Sequence, residues 1–183
     1  MLFQKKFSLF VDGSNTYHLM RRVLPKGTRI QRLNFRKLIA RVLHTNANMS
    51  RFYYVGVLTP SNDAHAQKLF RNQQRLFETL CDLDQRFCIR KGQLVKSGDH
   101  YREKGVDVRL AIDIVLGVVN NDFDVALILS SDADLLPALE FARLKGKEVV
   151  YLCFEQARSV ALTKRSSRTV VIKASDILAC IDM

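Results

Sequence analysis

The sequence contains little glycine and proline, with 8 and 3 among its 183 residues. No stretch rich in glycine, proline or serine divides the chain, and it has no internal repeat or low-complexity tract. These absences argue against a flexible linker and against a repeat architecture. We expect one domain over residues 1–183, a length sufficient to enclose a hydrophobic core.

Long apolar runs are also missing. No segment approaches the roughly 20 apolar residues with which a helix crosses a bilayer. The basic N-terminus is not followed by an apolar region with a small-residue cleavage site. We therefore expect a cytoplasmic protein without membrane association. The four cysteines contain no CxxC pair, which argues against a zinc site or a disulfide framework.

Acidic residues are the minority among the charged residues. Lys and Arg number 29 and Asp and Glu 18, so the net charge is +11. This balance favours a polyanionic partner, and nucleic acid before a membrane. Solubility through net charge is the simpler alternative, and charge alone does not separate RNA from DNA or anionic lipid.

Strand and helix patterns alternate along the chain. Strands are predicted at residues 7–11, 52–58, 87–96, 124–129, 148–154 and 169–172. Helices are predicted after residue 13, at 34–43, from a turn at 59–62 to about 83, and at 106–119, 135–144 and 175–181. A further turn is predicted at 97–100. The alternation indicates a parallel or mostly parallel sheet with helices on both faces, whose ligand site lies beyond the carboxyl ends of the strands.

Two predicted strands end in acidic residues. Asp12 follows the first strand, where Gly13 is interpreted as a tight turn and Ser14 or Asn15 as a helix cap. Asp132 and Asp134 follow the strand at 124–129. Carboxylates brought together repel each other unless they are protonated or bridged by a cation, and hard oxygen ligands suit Mg²⁺ or Mn²⁺. A cap explains Asp12 as well as a ligand role does, but a cap does not explain both late aspartates.

Three segments in order resemble the motifs of the NYN domain family, a member of the PIN-like nuclease group. They are FVDGSN at 10–15, KGVDVRLAID at 104–113 and LSSDADLLPAL at 129–139. The resemblance covers nearly the whole chain. It implies a Rossmann-like three-layer α/β/α sandwich with a mostly parallel sheet, and hydrolysis of RNA phosphodiester bonds with Mg²⁺ or Mn²⁺.

The resemblance also assigns roles to residues. It makes Asp12, Asp107 and Asp132 the chief acidic groups, and Asp134 a further metal ligand or a group that positions the water. Asn15 would hydrogen-bond near the metal or the scissile phosphate, and Ser130 or Ser131 would orient the carboxylates. From the residues alone, Asp107 is a helix cap and Asp113 is structural. Ala133 and Leu135 replace the family's usual Gly and Phe, which are small apolar changes.

Basic residues near these motifs are candidates for substrate binding. Lys104 is the first of them, because the resemblance places it beside the site. The others are Arg21, Arg22, Arg102, Lys164 and Arg165, the last two in a predicted basic loop at 164–168. For each of them taken singly, a solvated surface charge is the simpler explanation.

The sequence therefore predicts a metal-dependent (endo)ribonuclease that acts on single-stranded or structured RNA through a metal-activated water. The alternative is an RNA-binding regulatory module with this fold and little catalysis. A Mg²⁺-dependent phosphatase is disfavoured by the net charge of +11 and by the lack of a DxDxT motif. A homodimer is compatible with the sequence, although nothing in it specifies one.

Overall fold

The structure is a computed structural model that describes residues 5–58, 64–97 and 100–182. Seven strands and seven α-helices occur in these residues. The strands are β1 (Phe7–Asp12), β2 (Met49–Val57), β3 (Cys88–Ser97), β4 (His100–Lys104), β5 (Val125–Leu129), β6 (Glu148–Phe154) and β7 (Arg168–Ile172). The helices are α1 (Gly13–Val23), α2 (Phe35–Leu43), α3 (Ala64–Cys81), α4 (Val106–Val119), α5 (Leu136–Leu144), α6 (Val160–Arg165) and α7 (Ala174–Leu178). None of these helices is both long enough and apolar enough to cross a membrane.

The strands form a single sheet in the order β4-β3-β2-β1-β5-β6-β7. All neighbours are parallel except β3 and β4, which are antiparallel. In the middle of the sheet Val11 pairs with Tyr53 on one side and with Leu129 on the other. The carboxyl ends of β1 and β5 therefore lie side by side, as the sequence predicts for the two aspartate-bearing strands.

Alternate residues of the strands pack into two separate apolar clusters. Leu9 and Val11 belong to a cluster that includes buried residues of α1, α2, α3 and α7. Phe10 belongs to a second cluster with buried residues of α4, α5 and α6. This alternation follows from the two-residue period of a strand, which sends successive side chains to opposite faces. The predicted mixed α/β fold, with a mostly parallel sheet flanked by helices, is confirmed.

Two elements differ from the sequence prediction. β4 was not predicted, because its residues HYREK show no alternation of apolar and polar side chains. β3 and β4 run up to Ser97 and from His100, so part of the predicted turn at 97–100 is strand. Its residues 98 and 99, and the predicted turn at 59–62, lie outside the described residues.

The predicted basic loop at 164–168 is wrong. Lys164 and Arg165 form the last turn of α6, and Arg168 begins β7. The helix forms because Ser159 caps it, accepting a hydrogen bond from the Leu162 amide, and because the Leu162 side chain is buried.

Candidate functional site

Asp12 ends β1 and caps α1. Its Oδ1 accepts a hydrogen bond from the backbone N–H of Asn15 at 3.1 Å. The predicted cap at Ser14 or Asn15 is therefore wrong, because the helix begins one residue earlier, at Gly13. A carboxylate in this position satisfies one free amide of the first turn and lies at the positive end of the helix dipole.

Gly13 is required by a close approach of the chain to β2. A Cβ atom at position 13 would lie 2.4 Å from Cε1 of Tyr53 and 2.7 Å from the Tyr54 carbonyl oxygen. Gly13 does not have the positive φ of Gly27, Gly105 and Gly146, so the interpretation of Gly13 as a tight-turn residue is wrong. Glycine is needed at this position because there is no room for a Cβ atom. The absence of a side chain lets β1 pass into α1 directly over the Tyr53 ring.

Two serines after β5 connect the acidic residues. Ser130 is buried; its Oγ donates to Asp12 Oδ2 at 2.9 Å and accepts from the Asp132 amide at 3.1 Å. Ser131 donates from its amide and its hydroxyl to Asn15 Oδ1, at 3.0 and 3.1 Å. These bonds fix the end of β5 against the start of α1, so both serines orient the site from within.

Asp107, Asp132 and Asp134 form a carboxylate cluster. One oxygen from each lies within 4.8 Å of those from the other two. Asp132 Oδ1 also accepts from the Asp134 amide at 2.9 Å and so caps the short 3₁₀ turn that precedes α5. Asp107 lies in the first turn of α4, but the cap of that helix is Gly105, without a side-chain bond. The carboxylate of Asp107 is thus directed to the cluster and does not act as a cap.

Asp12 lies beneath this cluster and is not one of its three members. It is 8% exposed. Burial raises its pKa to about 6, and the negative charges of Glu103 and Asp132 add to the rise, against the hydrogen bonds from Asn15 and Ser130. Of the acids predicted from sequence, Asp107, Asp132 and Asp134 are mutually closest, and Asp12 adjoins them from the interior.

Glu103 is a further acidic residue of the site, which the sequence prediction missed. Its Oε1 accepts hydrogen bonds from Ser14 Oγ and from the Gly56 amide, both at 2.6 Å. A Cβ at position 56 would lie 2.8 Å from Glu103 Cγ, so Gly56 makes this approach possible. Glu103 stands on β4, and its place beside Asp12 depends on the pairing of β3 and β4. The position of Glu103 just before the KGVD motif was the one local signal.

The acids of the site form no ion pair with any cation that the structure describes. Within the part of the chain that the structure describes, no ion pair involves Asp12, Glu103, Asp107, Asp132 or Asp134. Asp113 differs, because Arg90 and Arg109 approach it at 3.1 and 3.4 Å. Tyr54 also donates its hydroxyl to Asp113 at 3.0 Å, so Asp113 is structural, as predicted.

The predicted substrate-binding residues divide into two groups. Arg102 and Lys104 are exposed on β4, on either side of Glu103. Arg21 and Arg22 occupy the last turn of α1, about 14 Å along the helix from Asp12. Arg21 there bonds Tyr17 Oη through its Nε, at 3.0 Å.

Lys164 and Arg165 also lie away from the acids. The residue that follows the α6 cap, Ser167, donates its amide to the Val149 carbonyl at the amino end of β6. Arg165 pairs with Glu140 at 3.1 Å. The structure therefore brings Arg102 and Lys104 to the acidic residues, and places the other four basic residues toward the opposite end of the sheet.

A model of the NYN domain family matches residues 6–175, nearly the whole chain and all three motifs. The chain belongs to the NYN domain family. NYN domains are part of the PIN-like nuclease superfamily, a group whose substrates are nucleic acids. Three carboxylates of this NYN domain lie close together in the structure. Nothing in the comparisons supports a homodimer.

One solved structure resembles this NYN domain along its whole length. It is a crystal structure of a protein of unknown function from Vibrio parahaemolyticus, with 17% sequence identity and a TM-score of 0.66. The similarity covers 97% of this chain and 98% of the other. At this identity it shows a shared fold alone. No curated protein matches the sequence.

Proposed function

We propose that this NYN domain is a metal-dependent ribonuclease that hydrolyses phosphodiester bonds of RNA, with endonucleolytic cleavage as the expected mode. The observation that carries the proposal is a group of acids that form no ion pair within the described residues of a chain of net charge +11. Clustered carboxylates destabilise a fold unless a proton or a cation offsets their repulsion. None of the basic side chains that the structure describes pairs with these acids, which leaves them available to a cation.

The carboxylate cluster fits Mg²⁺ or Mn²⁺. Two ligand oxygens on opposite sides of a Mg²⁺ ion lie about 4.2 Å apart when each bond is about 2.1 Å long. One oxygen each of Asp107, Asp132 and Asp134 lies within 4.8 Å of the other two, and Asp107 and Asp134 are exposed. We assign these three residues as ligands, and Asp12 as the fourth acid on the interior side.

The residues around the cluster have separate tasks. Ser130 holds Asp12 and Asp132 in fixed positions through its hydroxyl. Asn15 uses its carbonyl oxygen on Ser131; among the described residues its Nδ2 has no acceptor, so it is available to donate to a phosphate oxygen. A bound divalent cation would supply an activated water and offset the charge that develops on the phosphate.

The paired strands β3 and β4 offer a surface for RNA. In the sheet Tyr54 pairs with Asp12 on one side and with Arg90 on the other. β3 continues for seven residues past Arg90, so it extends about 23 Å beyond the end of β1. β4 returns along it with Arg102 and Lys104 exposed. We propose that these two side chains bind backbone phosphates and hold single-stranded or structured RNA over the acids.

A PIN-like three-layer α/β/α sandwich, formed by one domain over residues 1–183, is part of the proposal. The two apolar clusters, each fed by alternate strand residues and by its own helices, support it. A cytoplasmic location remains an expectation from the sequence.

Cleavage of labelled RNA tests the proposed activity. Purified protein would be incubated with an end-labelled and an internally labelled RNA in Mg²⁺, in Mn²⁺ and in EDTA. The matched variants are Asp132→Asn, in the cluster, and Asp122→Asn, an exposed acid before β5. We expect metal-dependent internal cleavage by wild type and Asp122→Asn, and a loss of at least 100-fold in Asp132→Asn.

Three outcomes would overturn the proposal. RNA binding without cleavage in any divalent ion would indicate a regulatory RNA-binding module. Hydrolysis of a chromogenic phosphate ester in place of RNA would indicate a phosphatase. Equal cleavage by wild type and Asp132→Asn would assign the activity to another site or to a contaminant.

A further inference from the structure

A cavity lined by charged side chains lies at the amino end of β2, away from the acidic residues. Its volume is about 220 Å³. Its walls include Arg36 from α2, Arg51 from β2 and Arg86 from the turn before β3, together with Asp84. Tyr54, which pairs with Asp12 in the sheet, lies three residues after Arg51. The cavity extends from Arg51 in the other direction, toward the residues before β2.

Arg51 is a buried cation. The residue is 8% exposed, and its Nε has no hydrogen-bond partner. No ion pair of Arg51 occurs within residues 5–58, 64–97 and 100–182. Burial lowers the pKa of its guanidinium, and the charges of Arg36 and Arg86 lower it further, against the opposing effect of Asp84. An unsatisfied buried donor of this kind destabilises the fold unless a ligand accepts from it.

Asp84 does not neutralise the cavity. Its Oδ1 accepts from Arg36 at 2.6 Å and its Oδ2 accepts from Asn34 Nδ2, also at 2.6 Å. Arg86 uses its Nε on the Leu83 carbonyl at 2.8 Å, which leaves its terminal nitrogens for another acceptor. Three guanidinium groups thus line the cavity with a single carboxylate, which is already bonded to two partners.

We propose that this cavity binds a phosphate group, with Arg51 as its floor and Arg36 and Arg86 at its rim. Guanidinium groups form paired, charge-assisted hydrogen bonds with phosphate oxygens, and such bonds are strongest where water is excluded. The phosphate belongs to a free phosphate or nucleotide, or to the backbone of a bound RNA; the chemistry of recognition is the same. The proposal does not depend on nuclease activity, because the cavity and the acids share no residue.

Calorimetric titration in EDTA tests the proposal, since the chelator removes any phosphate binding through a metal at the aspartates. Orthophosphate is titrated at constant ionic strength into wild type, Arg86→Gln, Arg51→Met and Arg75→Gln. Arg75 is an exposed residue of α3 outside the cavity, so its variant controls for the loss of one positive charge. We expect binding by wild type and Arg75→Gln, and an affinity at least about tenfold weaker in Arg86→Gln and Arg51→Met.

Competition identifies the source of the phosphate. Displacement of orthophosphate by an RNA oligomer without terminal phosphates assigns the cavity to the RNA backbone. Displacement by a nucleoside 5′-monophosphate, but not by that RNA, assigns it to a free or terminal phosphate. Arg86 is exposed, so its variant carries the test even if Arg51→Met fails to fold. No binding by wild type, or equal affinity in wild type and Arg86→Gln, would overturn the proposal.

Discussion

Asp12 combines the roles of strand end, helix cap and buried acid in one side chain. Its two oxygens accept from the Asn15 amide and the Ser130 hydroxyl, yet burial still raises its pKa to about 6. The desolvation cost of the charged form therefore exceeds what the two hydrogen bonds return. A residue held at such a cost to the fold is typical of a functional site.

Replacement of Asp12 by Asn gives a pH-dependent change in stability in the absence of metal. The folded pKa of about 6 lies above the ordinary 3.8, so the folded state binds the proton more tightly than the unfolded state. Wild type loses stability as the pH rises from about 4 to about 6, and the loss is complete above that range. Relative to wild type, Asp12→Asn should gain on the order of 2–3 kcal/mol between pH 4 and pH 7.

Urea unfolding in EDTA at several pH values measures this difference. The difference between the two curves reports the ionisation of Asp12 together with its coupling to Glu103 and Asp132. A difference that does not change with pH would show that Asp12 has an ordinary pKa. Asp122→Asn serves as the control and should follow wild type, because that side chain is exposed.

Gly13 gives a second prediction about a single residue. An added Cβ would meet the Tyr53 ring and the Tyr54 carbonyl, and the carbonyl belongs to a buried strand that yields little. We expect Gly13→Ala to lower the free energy of unfolding by about 2–3 kcal/mol. Gly27→Ala is the control: position 27 has open space and only a positive φ, so its cost should be about 1 kcal/mol. Equal losses would contradict the steric explanation, because Gly13 lacks the positive φ of Gly27 and its contacts would then relax at little cost.

The sequence predicts most of the acidic site because its members lie at the ends of elements with strong local patterns. Asp132 and Asp134 follow an apolar strand. Asp107 joins the prediction only through the family resemblance, because its place in the first turn of a helix would by itself predict a cap. Glu103 could not be found in this way. Its position depends on β4, a strand formed by pairing with β3 and not by its own side chains.

The antiparallel pair of β3 and β4 accounts for the main difference between the predicted site and the observed one. It adds to the sheet edge and carries Glu103 inward, to Ser14 and Gly56, while Arg102 and Lys104 remain exposed. Alternation along one short strand thus separates an acid that structures the site from two bases that are free to contact a substrate.

The double variant Arg102→Gln, Lys104→Gln tests this element. Each phosphate contact to single-stranded nucleic acid contributes about 0.7 to the slope of log affinity against log salt. We expect RNA binding in EDTA to weaken about tenfold or more, with the slope reduced by about 1.4. The matched control removes Lys164 and Arg165, two bases toward the other end of the sheet. Equal losses in the two double variants would indicate binding through net charge alone.

On the scale of the whole molecule, charge is divided between the two ends of the sheet. Acids that form no ion pair within the described residues gather near the carboxyl ends of β1 and β5, and three arginines with one carboxylate line the cavity at the amino end of β2. The alternation of strands and helices predicts the first location through the general rule for parallel sheets. No comparable rule predicts the second, because Arg36, Arg51 and Arg86 come from three elements and meet only in the folded chain.

Divalent cations should stabilise the whole fold through the carboxylate cluster. A ligand that binds only the folded state adds RT ln(1 + [L]/Kd), about 2.7 kcal/mol at a hundredfold excess over Kd. For a chain of this length we expect a rise in Tm of about 5–10 °C in Mg²⁺ or Mn²⁺ over EDTA. Asp132→Asn and Asp107→Asn should lose most of this rise, since each removes one of the three clustered carboxylates.

Calorimetric melting of wild type and the variants measures the rise in Tm that the metal causes. Asp122→Asn is the control and should keep the full rise. The variants should also start from a higher Tm in EDTA than wild type, because each removes one negative charge from an unpaired cluster. The variants should thus have a higher Tm in EDTA but a smaller rise in Tm on addition of metal. A variant that merely misfolds would have a lower Tm in EDTA. A metal-induced shift of the same size in wild type and Asp132→Asn would place the cation elsewhere on the molecule.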